Sequence, residues 1–170
     1  QRFLAAHPGL QHATIRLGRD RELPPSGYVF VLGNRRSNPL VGCLDGVGLD
    51  GAGEQGPKLS WPESYRIRVV RQGTRTICVI EGTGRVGTLY GVYDYLERMG
   101  YRFFGLGEQG TVRPVEACGL IEQLEIAETP AFLTRGFHAW EPRGHDDFFA
   151  WMARNRLNFW TASETKLPLL

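Results

Sequence analysis

Residues 64–100 constrain the fold of this chain more than any other stretch. Two strand-like runs, 64–71 and 75–80, meet at Gln72-Gly73, and the second passes through Gly82, Gly84 and Gly87 into a helix-like run. Two short runs separated by a glycine-containing turn predict a β-hairpin. Within the first, Tyr65-Arg66-Ile67-Arg68-Val69 alternates apolar and charged residues, the pattern of an antiparallel strand with one solvated face. A helix is predicted over 85–99, where Val86, Leu89, Tyr90, Tyr93 and Leu96 recur at helical spacing as one apolar stripe. Gly100 supplies a left-handed C-terminal cap, and Tyr101-Arg102-Phe103-Phe104 leads back into a strand or edge segment.

The three glycines have the G-x-G-x-x-G spacing of a dinucleotide-binding turn. Such a turn lets the backbone approach a pyrophosphate at a helix N-terminus. The run 76–80 would be its strand and Glu108 its ribose-binding acid. Against this, Glu81 would put a carboxylate beside two phosphates, and Asp94 stands where an apolar helix residue is required. A doubly wound parallel sheet also needs strands that are apolar on both faces. Gly87 and Gly91 lie four apart and leave one helix flank bare, so that the helix backbone can sit close to a sheet. The glycines therefore predict a tight strand-to-helix turn and close packing, without a cofactor.

Strands are expected at 13–17 and 28–32. Between Gly42 and Gly56, six of fifteen residues are glycine, too many for a helix or strand interior, so this stretch reads as a loop. Its acids Asp45, Asp50 and Glu54 lack EF-hand spacing, and no metal site is expected. Leu120, Ile121, Leu124 and Ile126 mark a further strand before the break at Thr129-Pro130. A new pattern follows: a strand over 132–140, a helix over 145–155 with Phe148, Trp151 and Met152 on its buried side, and a strand over 158–161. Asp146 and Asp147 suit the positive end of that helix dipole. Strand, helix, strand is the opening of a β/α repeat that one unit cannot close. The expected organisation is thus 1–128 as an α+β domain and 129–170 as a fold interrupted partway.

Composition excludes several functions. A net charge of +2 with scattered arginines gives no basic stripe for nucleic acid. No apolar run approaches the roughly 18 residues of a membrane span. Cys43, Cys78 and Cys118 are odd in number and form no C-x-x-C, so a complete disulfide framework is excluded, buried free thiols are favoured over one disulfide with a spare thiol, and cysteine leaves the compartment undecided.

Taken in order, these motifs resemble a known architecture. "ESYRIRVV…RTICVIEGTGRVGTLYGVYDYLERMGYRFF" is similar to the accessory N-terminal domain of family-67 α-glucuronidases and of family-20 β-N-acetylhexosaminidases. There an E-x-Y-x-I strand is followed by a second strand, a G-x-x-Y-G helix (here Gly87 to Gly91) and a G-x-R-x-F return (here Gly100 to Phe104). "TPAFLTRGFHAW" resembles the entry into the catalytic barrel, and "FFAWMARNRLNFWT" its first helix and second strand. The likeness covers residues 60–162 well and the first 60 loosely.

The resemblance implies an α+β accessory domain, with an antiparallel or mixed sheet and helices on one face, followed by the start of a (β/α)8 barrel. It implies a glycoside hydrolase whose substrate is an oligosaccharide or glycoside. Catalysis would belong to the barrel, and no catalytic carboxylate set is recognisable before Leu170. Candidate sugar contacts lie on the first barrel strand. Arg135 matches an arginine that grips sugar hydroxyls with its guanidinium fork. Trp140 would offer an indole face to a pyranose, and His138 would donate between them. Glu141 lies near the C-terminal mouth of the strand, where barrel sites are built. The stretch "FHAWEPRG" lacks the aspartate that hexosaminidases carry after the glycine, which argues against an amino sugar. The alternative is a free-standing carbohydrate-binding or interaction module without catalysis.

Overall fold

The computed structural model describes residues 2–10, 22–44, 59–115, 119–139 and 146–162. The chain divides into two compact units, Gln1–Tyr101 with Arg113–Pro130, and Arg102–Val112 with Ala131–Leu170. It is a mixed α+β protein.

The first unit opens with a one-turn helix α1 (Arg2–Ala5) and a 3-10 turn at Pro8–Leu10. This segment is anchored by Tyr101, whose hydroxyl donates to the Phe3 carbonyl at 2.6 Å while the two rings meet edge to face. Strand β1 (Gly27–Gly33) leads to the short helix α2 (Pro39–Cys43). Asn38 caps α2: its side-chain oxygen accepts the Leu40 N–H at 3.1 Å, and Pro39 occupies the first turn, where a missing N–H costs nothing. Gly42 and Cys43, expected in the glycine-rich loop, are therefore helical; the expected acids of that loop and the strand at 13–17 lie outside the described residues.

The predicted hairpin is present as β2 (Tyr65–Gln72) and β3 (Arg75–Gly82), with Gly73 at φ 61° in the turn. Helix α3 spans Arg85–Arg98, and Gly100 follows at φ 95° as the left-handed cap. After strands β4 (Arg102–Phe103) and β5 (Thr111–Val112), strand β6 (Leu124–Glu128) returns to the sheet. The order is β1-β3-β2-β6, with β1 parallel to β3 and the other neighbours antiparallel, so the sheet is mixed.

Alternation along the strands sorts the side chains onto two faces. Tyr65, Ile67, Cys78 and Ile80 share the face against which α3 packs. Val31, Ile77 and Val79 share the other, where they form a buried cluster with Val41 and Leu44. Helical cover is thus not confined to one face, because α2 packs opposite α3.

Three expectations change. The alternation in β2 does not make a solvated face: Arg66 and Arg68 are buried. Arg66 pairs with Glu81 at 2.6 Å directly across the hairpin, and Arg68 donates to the Leu44 carbonyl at 2.7 Å. Burial of a charge is tolerable when a partner is built in. The apolar stripe of α3 is also rotated from expectation, since Val86 and Leu89 are exposed while Gly87, Tyr90, Gly91 and Asp94 are buried. The glycine flank, rather than the bulkier stripe, faces the strands. A Cβ on Gly91 would lie 2.6 Å from Ile80 Cγ2, and one on Gly87 2.5 Å from the Ser64 carbonyl. Asp94 is carried into this interface with Arg98 one turn on, at 3.2 Å. Finally, of the thiols, Cys78 is buried but Cys43 is exposed, and Cys118 lies outside the described residues.

The second unit holds β7 (Gly136–Ala139), α4 (Asp146–Arg154) and β8 (Phe159–Ala162), with β7 and β8 parallel neighbours. Phe148 of α4 is ringed by Phe137, Trp151 and Trp160 at centroid separations of 5.8 Å, 6.2 Å and 5.7 Å respectively. The β4–β5 hairpin belongs to this unit. The Arg154 guanidinium lies 5.5 Å from the centre of the Phe103 ring, and Asn155 Nδ2 donates to the Phe103 carbonyl at 3.0 Å.

Candidate functional site

Arg135 stands immediately before β7, at the amino end of the parallel pair. Its Nε donates to the Arg156 carbonyl at 2.8 Å and its Nη1 to the Phe132 carbonyl at 2.6 Å. Arg156 itself sits at φ 57° in the turn after α4, a conformation that aims its carbonyl outside the helical ladder. Asn158 completes the arrangement. Its side-chain oxygen accepts the Arg135 N–H at 2.8 Å, its Nδ2 donates to the Leu133 carbonyl at 2.7 Å, and the Arg135 carbonyl accepts from both Asn158 and Phe159 N–H. The guanidinium therefore organises the loops that lead into the strands.

His138 is the third residue of β7, opposite Thr161 in the parallel register, and is exposed. It shares the strand face of Gly136, away from Phe137 and the aromatic cluster under α4. Gly136 is required there because a Cβ would collide with the Phe159 carbonyl. Arg135 and His138 thus lie towards opposite ends of the strand, and the described residues do not bring them together. Trp140 and Glu141 lie outside the described residues.

Two features of the first unit escaped the sequence reading. Beneath α3, the Tyr28 hydroxyl donates to the Ile121 carbonyl at 2.7 Å and shares a 2.8 Å hydrogen bond with the Tyr95 hydroxyl. Burial pushes the Cys78 thiol beside them up to about 12, moderated by its hydrogen bond with Tyr28. The same burial raises Tyr95 to about 12 and Tyr28 further still. A thiol held neutral in this way is no nucleophile, so the cluster is structural.

The other feature is an open crevice of about 580 Å³ between the carboxyl ends of β1 and β3, flanked by Arg36 and Arg85. The glycine turn borders it. Gly82 is explained by packing, since a Cβ there would collide with the Thr88 amide, whereas a Cβ on Gly84 would meet nothing within 4 Å. Hydroxyls around the crevice serve their own loops: Thr88 donates to the Gly84 carbonyl at 3.0 Å and Thr83 to that of Ser64 at 3.4 Å. No group of three or more histidine, cysteine or acidic residues able to hold a metal ion occurs among the described residues. Nor, among them, is any helix long and apolar enough to cross a membrane.

No protein-family model matches the chain, and no curated protein matches it closely.

Proposed function

We propose that the chain is the N-terminal portion of a glycoside hydrolase, α-glucuronidase-like or a related exo-glycosidase. The first unit is an accessory domain, and β7–α4–β8 is the first strand-helix-strand of a (β/α)8 barrel. The carrying observation is the parallel pairing of β7 with β8 across α4. Parallel strands joined through a helix form sheets covered on both faces. Here Phe137 meets Phe148 of α4 on one side yet stays part-exposed, and Phe159 and His138 on the other side are exposed as well. That exposure suits a strand pair whose remaining neighbours and catalytic carboxylates come from further along a longer protein. The substrate is an oligosaccharide or glycoside, and His138, on the open face, is the described residue best placed to meet it. Arg135 acts by shaping the strand entry.

The test is hydrolysis of aryl α-glucuronides and other aryl glycosides by the natural full-length protein, with His138→Ala beside it. Turnover that falls at least tenfold in the variant, with the melting temperature retained, supports the reading. Absence of turnover on every glycoside, together with saturable binding of an oligosaccharide by residues 1–170 alone, favours a free-standing binding module instead.

A further inference from the structure

We draw no further inference here: the strongest candidate, the open crevice between the carboxyl ends of β1 and β3 where Arg36 and Arg85 flank the start of α3, rests on a helix N-terminus and exposed side chains, with no second observation among the described residues that points to a ligand.

Discussion

Arg135 and Asn158 close a ring of two hydrogen bonds, each residue donating to and accepting from the other at 2.8 Å. The ring joins the entries of two strands that are 23 positions apart in sequence, and the Asn158 side chain extends it to the Leu133 carbonyl.

Asn158→Ala removes the side-chain hydrogen bonds to the Arg135 N–H and the Leu133 carbonyl and leaves those backbone groups to find water. Because Asn158 is exposed, the expected cost is about 1–2 kcal/mol. Urea denaturation followed by tryptophan fluorescence reads it, since Trp151 and Trp160 both lie in this unit. A change below about 0.3 kcal/mol would show that the Asn158 side chain contributes nothing.

Gly91→Leu places a side chain where a Cβ already lies 2.6 Å from Ile80 Cγ2 and 3.1 Å from the Tyr65 ring. Overpacking of this kind costs about 1–3 kcal/mol. Gly84→Ser is the control, because its Cβ meets open space, its φ of −160° is extended backbone, and serine suits the N-cap of α3 that Gly84 occupies. Its effect is expected within about 0.5 kcal/mol. Stabilisation by Gly91→Leu would mean that the glycine flank faces solvent.

The buried Cys78 and Tyr95 and the half-buried Tyr28 give the fold an alkaline limit. Each is neutral when protonated, and each is raised above its ordinary value by burial. Above pH 9 for the thiol and 10 for the phenols, the unfolded chain releases protons that the folded chain retains. The stability they contribute is full below pH 9 and is lost as pH climbs towards about 12. Each fully titrating group steepens the loss by about 1.4 kcal/mol per pH unit. Cys78→Ala should flatten the first part of the decline, between pH 9 and 10. Identical slopes for the two proteins would exclude the thiol as its source.

Glu81→Gln leaves the buried Arg66 guanidinium without its carboxylate, and a loss of about 3–5 kcal/mol is expected. The double variant Arg66→Met/Glu81→Leu replaces both charges with apolar groups and should recover most of that loss. The comparison is made on thermal midpoints. A double variant less stable than Glu81→Gln would mean that the pair is net stabilising.

The hairpin, the helix after it and the later strand-helix-strand were legible because each is written in local periodicity and punctuation. Glycine at residues 73 and 100 marks the turn and the cap, and Asp146 and Asp147 mark the start of α4. The cap of α2 was also readable, in Asn38-Pro39, but the glycines beside it obscured the signal. What periodicity cannot carry is the identity of a distant partner. Nothing within residues 65–69 announces that Glu81 and the Leu44 carbonyl receive their two arginines. The stripe on α3 misled for a related reason: apolar bulk predicts burial only when no smooth glycine flank competes for the same contact. Of the candidate site, the sequence located β7 but not the roles along it. Arg135 has the chemistry of a sugar contact and the geometry of a loop organiser, a distinction made by the carbonyls of Arg156 and Phe132.

The chain crosses between its two units three times, after Tyr101, after Val112 and after Pro130. Neither unit is a continuous passage of sequence. A cut near residue 128 would strand the 102–112 hairpin, separating Phe103 from the Arg154 and Asn155 contacts that hold it. No single junction can move one unit to another protein intact. During synthesis, moreover, Phe103 emerges well before Arg154 and Asn155, so the contacts that hold the hairpin can form only once the end of α4 has followed.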